Sequence, residues 1–488
     1  MTAAETTPAP PTVAVDQLGY FRFGRVAGKV LLTTDAGDWA FLTEPEFAQL
    51  LAGEVTESHP RFAELQKNGF LRANLDLDAL AARFAPRVAH VARGPERHVV
   101  TMSRRGAGPA GPDAGADLDR ATAERIVDVA LQSRSPSAAF ELHARAGEPL
   151  VDLDVVRHLV EYARTTNARA AGKTLHFTLV TNTSAMTEET AEWLIANEVA
   201  IRTWLDGPAE IHDANRRYTV AGAHADVVRW IAWFARRYEE LGRNPDVWFV
   251  DARTTVTRPM LSAWRELVDE YVARGLRTIE LRPLSPIGFD ADAWQAVGYG
   301  VEDYLAFYDR AFGYLLERNR AGARLAERTA AGLLNGILPA GDRAACEIRS
   351  PSRAGTSELA YDTDGRVFPG DEARRVDAGG DPMFALGNIR QLSIPDIVRH
   401  PTTRAIATAS LLDTQPMCAD CWNKPFCGLS PVTTYVREGD LFGQPPRSFE
   451  CKELTNVARS LFTVLANEND GETRQIFERW APGNSQLR

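Results

Sequence analysis

The sequence predicts an α/β protein that carries a small α+β unit before its main domain and a loop-rich, cysteine-bearing segment after it. Strand and helix patterns alternate six times across residues 97–316. A short strand followed by two short helices occupies residues 19–83, and four of the five cysteines fall within residues 418–451. Because repeated strand–helix units imply parallel strands joined by right-handed crossovers, the main sheet is predicted to be parallel.

Composition excludes several classes of protein. The chain has 488 residues, a net charge of −10 and a pI near 5.5. The acidic balance argues against a nucleic-acid partner, and no apolar stretch reaches the length of a membrane span. Residues 1–18 lack the basic and apolar regions of a secretory signal, so they are interpreted as a disordered leader and the protein is expected to be cytoplasmic.

Residues 19–90 form the predicted N-terminal unit. GKVLLTT is its strand, Thr43 is the predicted N-cap of a helix that ends at Gly53, and a second helix ends at Asn68-Gly69. This order suits a winged-helix-like module that binds peptides. The strand GKVLLTT would offer its edge to an incoming peptide, with Phe47 and Leu51 supplying side-chain pockets. The alternative is a unit that only packs on the main domain.

Residues 91–320 carry the alternating pattern. The predicted strands are RHVVTMS, AAFELHAR, TLHFTLVTN, VAIRTWLDG, DVWFVDARTTV and RTIELRPLS. The periodicity alone allows an open doubly wound sheet or a partial or full barrel. In each case the C-terminal ends of the strands form the expected active face. The stretches at that face are 103–112, 145–149, 181–183, 206–208 and 282–286.

Residues 321–488 contain a predicted hairpin and the cysteines. Asp364-Gly365 indicates a type I′ turn between Tyr361 and Val367. Cys418, Cys421, Cys427 and Cys451 have ligand-like spacing. Zinc, a four-iron cluster and disulfides all remain possible from spacing alone, although nothing suggests an oxidising compartment.

Weaker motifs have ordinary explanations. Gly106, Gly108 and Gly111 match a dinucleotide fingerprint, but prolines at 109 and 112 occupy the turns where its helix would begin, which favours a flexible loop. His143 and His176 lie within strands and are interpreted as packed polar residues. Asp371 follows the hairpin and is a candidate base, although a solvated aspartate is the commoner case.

Taken together, these stretches resemble radical SAM peptide maturases with a C-terminal SPASM domain. Among these, the maturase of the His-Xaa-Ser system, the HxsB type, is the most similar. The matching stretches include AFELHARAGEPLVDLDVVRHLVEYA, LAYDTDGRVFPGDEARR and CADCWNKPFCG. The resemblance implies a partial (β/α)6 barrel, an N-terminal peptide-recognition module and a SPASM-like iron–sulfur domain. It assigns Cys418, Cys421, Cys427 and Cys451 to one auxiliary [4Fe-4S] cluster, with zinc as the alternative metal.

The sequence also departs from the family pattern. The family's three cluster cysteines belong in the loop after the first barrel strand, but here that loop reads SRRGAGPAGPDAG. Gly147, Glu148 and Pro149 match the motif that contacts SAM, whereas Ala146 replaces its first glycine. Cys346 matches one ligand of a further auxiliary cluster. Gly370 and Ser430 stand where other ligands of that cluster are expected, which predicts its absence.

These departures lead to a functional hypothesis. Without a reducing cluster, the chain is predicted to be a pseudoenzyme that binds or scaffolds a ribosomal peptide or a partner radical SAM maturase. SAM binding is doubtful, and Asp371 becomes a relict base. The alternatives are an active peptide-modifying enzyme with unusual cluster ligation and a dinucleotide-dependent enzyme that uses Gly106, Gly108 and Gly111.

Overall fold

A computed structural model describes residues 14–72, 75–103, 116–144, 147–170, 172–216, 223–289, 291–339, 341, 348–467 and 469–481. The strands are β1 (Arg22–Val26), β2 (Lys29–Thr33), β3 (Trp39–Leu42), β4 (Arg97–Ser103), β5 (Ser137–Ala144), β6 (Thr174–Val180), β7 (Val199–Trp204), β8 (Asp251–Val256), β9 (Thr278–Ile279), β10 (Leu281–Pro283), β11 (Ala326–Glu327), β12 (Glu358–Tyr361), β13 (Arg366–Phe368) and β14 (Gly387–Asn388). The helices are α1 (Glu44–Ala52), α2 (Phe62–Lys67), α3 (Leu77–Arg93), α4 (Arg120–Leu131), α5 (Leu153–Ala170), α6 (Glu188–Ala196), α7 (Ala209–Asn215), α8 (Ala223–Glu240), α9 (Trp264–Ala273), α10 (Ala291–Val297), α11 (Val301–Arg320), α12 (Arg328–Ile337), α13 (Asp371–Ala378), α14 (Ile394–Arg399), α15 (Pro401–Ala409), α16 (Pro431–Glu438), α17 (Phe449–Ala466) and α18 (Gly471–Trp480).

The N-terminal unit contains a three-stranded antiparallel sheet in the order β1-β2-β3. Thr43 caps α1 in a reciprocal capping box with Glu46, and Gly53 ends that helix with a φ of 75°. Both features agree with the sequence prediction. The predicted peptide-binding edge of GKVLLTT is wrong, because that segment forms the central strand β2 and pairs with β1 on one side and β3 on the other.

The main sheet has nine strands in the order β10-β8-β7-β6-β5-β4-β12-β13-β14. The pairs from β4 through β8 to β10 are all parallel and follow chain order. Right-handed crossovers that advance in one direction place their helices on the same face of a sheet. The order does not reverse within this segment, so the doubly wound alternative is wrong for it, and the reversal at which a dinucleotide would bind is missing there.

The two faces of this sheet differ in polarity. One face, which packs into the main core, presents apolar residues such as Met102, Leu142 and Leu179. The other presents charged residues, including Glu141, whose register partners are Val99 and Thr178. A parallel sheet covered by helices on both faces is apolar on both. The polar face therefore lacks the apolar helix layer of the other face, although residues of α3 and α12 line a cavity beside it.

The predicted hairpin exists, and it extends the main sheet. β12 and β13 pair antiparallel, while β12 also pairs parallel with β4. The predicted type I′ turn is wrong. That turn needs positive φ at both central residues, whereas in this hairpin only Gly365 has one, at 84°. The Gly365 N–H donates to the Asp362 carbonyl at 2.9 Å, so Thr363 and Asp364 are the central residues of the turn.

The N-terminal unit packs on the C-terminal part of the chain. Trp39 stacks edge-on against Phe462 of α17, and the Trp39 Nε1–H donates to the Ile337 carbonyl at 2.7 Å. A Cβ placed on Gly24 would lie 2.4 Å from Trp422 Cδ1, so glycine is needed for this close approach. Within the residues that the structure describes, no helix is long and apolar enough to cross a membrane.

Candidate functional site

Three of the four clustered cysteines lie on one irregular loop, and the fourth begins a helix. The Cys421 N–H donates to the Cys418 carbonyl at 3.1 Å, which closes the Cys-x-x-Cys turn. Cys427 follows a single helical turn at Lys424–Phe426. Cys451 lies in the first turn of α17, where its N–H donates to the capping hydroxyl of Ser448. The loop therefore turns back on itself, as a metal-binding loop does.

The four thiols share one electrostatic environment. All four are free, which argues against the disulfide alternative. Burial, followed by the neighbouring thiols of Cys451 and Cys421, raises the pKa of Cys418 to about 11. Burial and the other three thiols raise the pKa of Cys427 well above its ordinary value. Four thiols that disfavour one another's ionisation are typical of a site whose positive charge comes from a bound metal group.

Two metal groups, zinc and a four-iron cluster, are candidates for these four cysteines. In the described part of the chain, no three His, Cys, Asp or Glu side chains are close enough to hold a single metal ion. A four-iron cluster holds its thiolates further apart than zinc does, because the iron–sulfide cube lies between them. Zinc and a four-iron cluster therefore both stay open as the metal group of these cysteines. Cys346, the remaining cysteine, lies outside the described residues.

Residues of the N-terminal unit hold the cysteine loop in place. Arg22 Nε donates to the Ala419 carbonyl at 2.5 Å, and the Thr33 hydroxyl donates to the Trp422 carbonyl at 2.8 Å. Lys424 Nζ lies 3.0 Å from Asp35 Oδ1, and this ammonium is 7% exposed. These contacts join segments that are far apart in the sequence. Thr33 and Trp422 are separated by 389 positions, and so are Asp35 and Lys424.

The second candidate region is the strand-end site, which Glu148 and Thr181–Thr183 form at the C-terminal ends of β5 and β6. Glu148 is 3% exposed. Its carboxylate accepts hydrogen bonds from Thr181 Oγ1 and Asn182 N at 2.8 Å each, and from Leu150 N at 3.1 Å. Burial raises the pKa of Glu148 to about 7, although these donors oppose the shift. The structure therefore brings together the predicted stretches 147–149 and 181–183.

The neighbouring strand ends also carry polar side chains, and these form hydrogen bonds or ion pairs with other groups of the protein. Asp206, which is 1% exposed, lies 2.8 Å from Arg216 Nε and accepts a bond from Thr255 N at 3.1 Å. The Ser103 hydroxyl donates to Asp117 at 2.7 Å. Thr183 has a φ of 65°, which is unfavourable for a β-branched residue. Gly106, Gly108, Gly111 and Ala146 lie outside the described residues.

Asp371 is a poor base in this arrangement. It is the first residue of α13, and its carboxylate lies 2.6 Å from Arg374 Nη2. Burial favours its neutral form, but Arg374 and then His143 outweigh burial and lower the pKa of Asp371 to about 2. The charged carboxylate is already paired, so it has little tendency to take a proton at neutral pH.

Acidic side chains lie next to two positions where the family pattern has cysteine. A Cβ on Gly370 would lie 2.9 Å from Glu358 Oε1. The Ser430 hydroxyl donates to Glu372 at 2.5 Å, and the Thr433 hydroxyl reaches the same carboxylate oxygen at 3.2 Å. A negatively charged neighbourhood of this kind disfavours the thiolates that a second auxiliary cluster would need.

The polar face of the main sheet carries an ion-pair network that the sequence analysis missed. The network consists of Arg97, Glu141, Arg202, Asp251, Arg253, Glu280 and Arg328. At its centre Arg202 contacts Glu141, and its Nε lies 2.8 Å from Asp251 Oδ2. Burial opposes ionisation of Glu141, but Arg202 and Arg97 hold its pKa well below the ordinary value. The overlooked signal was a charge at alternate positions within otherwise apolar strands.

Comparisons with known proteins identify the fold. No family model matches the chain, and no curated protein matches it. Among solved structures, anSMEcpe with bound AdoMet aligns with a TM-score of 0.61 at 17% identity, covering 79% of this chain and 98% of that one. SuiB from Streptococcus suis, bound to precursor peptide SuiA, aligns with a TM-score of 0.52 at 14% identity, covering 89% and 100%. The chain shares the fold of these two proteins.

A third solved structure supports the shared fold. A further structure of anSMEcpe, with AdoMet and the Cp18Cys peptide, aligns with a TM-score of 0.61 at 18% identity over 76% of this chain. Identities this low establish the fold alone. The activity of this chain therefore has to be argued from its own residues.

Proposed function

We propose that this chain is a radical SAM-fold protein that binds a ribosomally made peptide, or a partner maturase, without cleaving SAM itself. The observation that carries the proposal is the sequence SRRGAGPAGPDAG after β4, which contains no cysteine. Reductive cleavage of SAM requires an electron from a cluster that thiolates hold beside the sulfonium. A loop without thiolates does not hold that cluster in the family's way.

The strand-end site supports the same conclusion. The Glu148 carboxylate already accepts hydrogen bonds from three groups of the protein, which leaves it little capacity for the amino group of SAM. With a pKa near 7, it is also partly neutral at physiological pH. Both features weaken a site that would have to bind a cationic ligand.

We further propose one structural [4Fe-4S] cluster on Cys418, Cys421, Cys427 and Cys451. A cluster bound there supplies a covalent cross-link between the cysteine loop and α17. The loop has little regular structure of its own, so that cross-link adds to the contacts from Arg22, Thr33 and Asp35. A second cluster is not proposed, because Glu358 and Glu372 adjoin the positions of two missing ligands.

The proposed partner is a precursor peptide, because solved structures that share this fold include SuiB bound to SuiA and anSMEcpe bound to Cp18Cys. The edge of β2 is not the contact, since both of its edges are paired. Tyr20 and Phe23, which are 64% and 49% exposed beside the outer strand β1, are the better candidates. Titration of the full chain with precursor peptides encoded nearby, compared with a Phe23→Ser variant, tests this contact.

The deciding experiment is an anaerobic incubation of the purified chain with SAM and dithionite. We expect no 5′-deoxyadenosine above the level of a protein-free control. The four cluster cysteines are left intact, so loss of folding does not confuse the result. Any turnover above the control would favour an active enzyme with unusual cluster ligation and would refute the pseudoenzyme proposal.

A further inference from the structure

Helix α3 turns a polar side toward the protein and an apolar side toward solvent. His90 is the one side chain of this helix that is buried, and its Nε2 lies 3.1 Å from the Pro351 carbonyl. On the same side, Arg83 Nη1 donates to the Lys67 carbonyl at 3.2 Å. None of the apolar side chains of α3, a helix that the structure describes in full, is part of a hydrophobic core. The helix is therefore attached to the fold through polar contacts.

The exposed side of α3 carries an apolar seam, which consists of Leu77, Ala81, Phe84, Val88 and Val91. Leu77, Phe84 and Val91 are 66%, 40% and 47% exposed. The intervals between successive members alternate between four and three residues, which is the heptad spacing that places side chains on one face of a helix. A surface helix normally turns such a face to the core. A contiguous apolar face that is left in water marks a contact with another molecule.

A cavity of about 280 Å³ lies beside the middle of this seam. Phe84 and Val88 line it together with Pro351 and Leu411. When two helices pack, a side chain of one fits into a hole between side chains of the other, and this cavity supplies a hole next to an exposed aromatic ring. Pro86 lines a different cavity, so its ring does not interrupt the seam.

The seam is complementary to a second copy of itself. Phe84 is its central residue, with Leu77 seven positions before it and Val91 seven positions after it. In an antiparallel pair with a two-fold axis at Phe84, Leu77 of each copy meets Val91 of the other. The charges agree with this direction, because the exposed Asp78 lies in the first turn of α3 and the exposed Arg93 in the last. An antiparallel pair brings these opposite charges together twice, whereas a parallel pair brings like charges together.

We propose that the chain associates with a second copy of itself as an antiparallel dimer through the α3 seam. The 17 residues of α3 span about 25 Å, so the contact is smaller than the interface of a permanent dimer. We expect a dissociation constant on the order of 10 µM for a contact of this size. The inference requires neither the cluster, nor SAM, nor a peptide, so it stands apart from the proposed function.

The first test is sedimentation equilibrium of the full chain, purified anaerobically with its cysteines intact. Concentrations between about 1 and 200 µM bracket the expected dissociation constant. We expect a monomer–dimer equilibrium. Phe84→Asp should weaken it at least tenfold, because the two-fold axis would bring two carboxylates together in an apolar contact. The matched control is Phe442→Asp, since Phe442 is 45% exposed but lies between α16 and α17, and this variant should keep the dimer.

Two outcomes of this test would overturn the proposal. The first is a wild-type chain that stays monomeric over the whole concentration range. The second is Phe84→Asp protein that dimerises as tightly as wild type, because the contact would then lie elsewhere. Phe84 is exposed and outside the hydrophobic cores, so its replacement leaves folding intact, and circular dichroism checks this.

Charge reversal tests the antiparallel direction independently of Phe84. Asp78→Arg and Arg93→Asp should each weaken the dimer at least threefold at low salt, because each places two pairs of like charges in contact. The double variant exchanges the charges and should regain wild-type affinity. Failure of the double variant to regain affinity would mean that the two ends do not meet, and would overturn the proposed arrangement.

A lipid surface is the other occupant that an exposed apolar helix face can have. Flotation with phosphatidylcholine vesicles distinguishes it from a second copy. We expect the wild-type chain to stay in the protein fraction. A monomeric chain that floats with the vesicles, and that no longer does so as Phe84→Asp, would assign the seam to a membrane and refute the dimer.

Discussion

The cysteine loop and the strand-end site, the two candidate sites described above, are built in opposite ways. In the loop, burial and the neighbouring thiols raise the pKa values of Cys418 and Cys427. At the strand ends, Glu148 is already bonded to Thr181, Asn182 and Leu150. The comparison teaches that the presence of family residues is not enough, because the bonds that those residues already make limit what they can bind.

The largest expected effect is at the cysteine loop. Cys421→Ser should lose nearly all bound iron and unfold the last third of the chain, since a structural metal group contributes on the order of 10 kcal/mol to a small domain. Iron and sulfide analysis after anaerobic purification, together with limited proteolysis, measures both effects. Wild-type protein should contain one four-iron cluster per chain.

Cys346→Ser is the matched control for this change, because it removes the same chemical group outside the proposed ligand set. We expect it to keep its iron. Wild-type iron content in Cys421→Ser, or two clusters in the wild-type chain, would contradict the assignment. Zinc in place of iron would keep the ligands and change the metal.

A smaller effect is expected where the protein supplies its own partners. Arg202→Met should destabilise the fold by about 1–3 kcal/mol, because Glu141 and Asp251 would lose the cation that they share and keep only Arg97, Arg253 and Arg328. Urea unfolding measures the change. The control is Arg236→Met, which removes a 67% exposed arginine paired with Glu240 at 3.8 Å and should cost less than about 1 kcal/mol.

The protonation of Glu148 gives a pH-dependent test. Its pKa is raised from 4.5 to about 7 in the folded chain. The folded state therefore holds this proton more tightly than the unfolded state, and stability falls as pH rises from about 4.5 to 7. The cost amounts to at most about 3 kcal/mol above that range.

Glu148→Gln should accordingly reduce the loss of stability between pH 5 and pH 8, measured by urea unfolding at both values. The exposed Glu188, changed to Gln, serves as the control and should leave the pH dependence as it is. An unchanged pH dependence in Glu148→Gln would mean that the carboxyl is ionised in the fold, and that the strand-end site is better suited to SAM than proposed.

The smallest effect concerns the hairpin that joins the C-terminal part to the main sheet. Gly365→Ala forces a φ of 84° on a residue with a Cβ and should cost about 1–2 kcal/mol in thermal or urea unfolding. Gly313→Ala lies within α11, where an added Cβ meets nothing within 4 Å, and should stabilise the chain by about 0.5–1 kcal/mol. Equal effects would show that the turn is not strained.

The sequence predicted what local patterns determine. The strands β4 to β8, the capping box at Thr43 and the αL glycine at Gly53 follow from periodicity and end signals within a few residues. The meeting of Glu148 with Thr181 was also predictable, because the ends of parallel strands share one edge of a sheet.

Contacts between distant segments could not be predicted in this way. The central position of β2 depends on β1 and β3, whose short stretches give little periodic signal. The pairing of β12 with β4 and the ion pair between Arg202 and Asp251 depend on three-dimensional closure. The cavity near Asn335 is formed by α3, α12 and the main sheet together, so no single stretch of the sequence predicts it.

The pairing of β12 with β4 has a consequence for how the protein is made. β4 ends at Ser103, and its partner β12 begins only at Glu358. Synthesis at about 5–20 residues per second therefore separates the two strands by roughly 10–50 seconds. During that time one edge of β4 has no strand to pair with, and such an edge can recruit a strand from another nascent chain. Crowded translation of this protein should favour aggregation, and a chaperone that shields the β4 edge until β12 emerges should raise its yield.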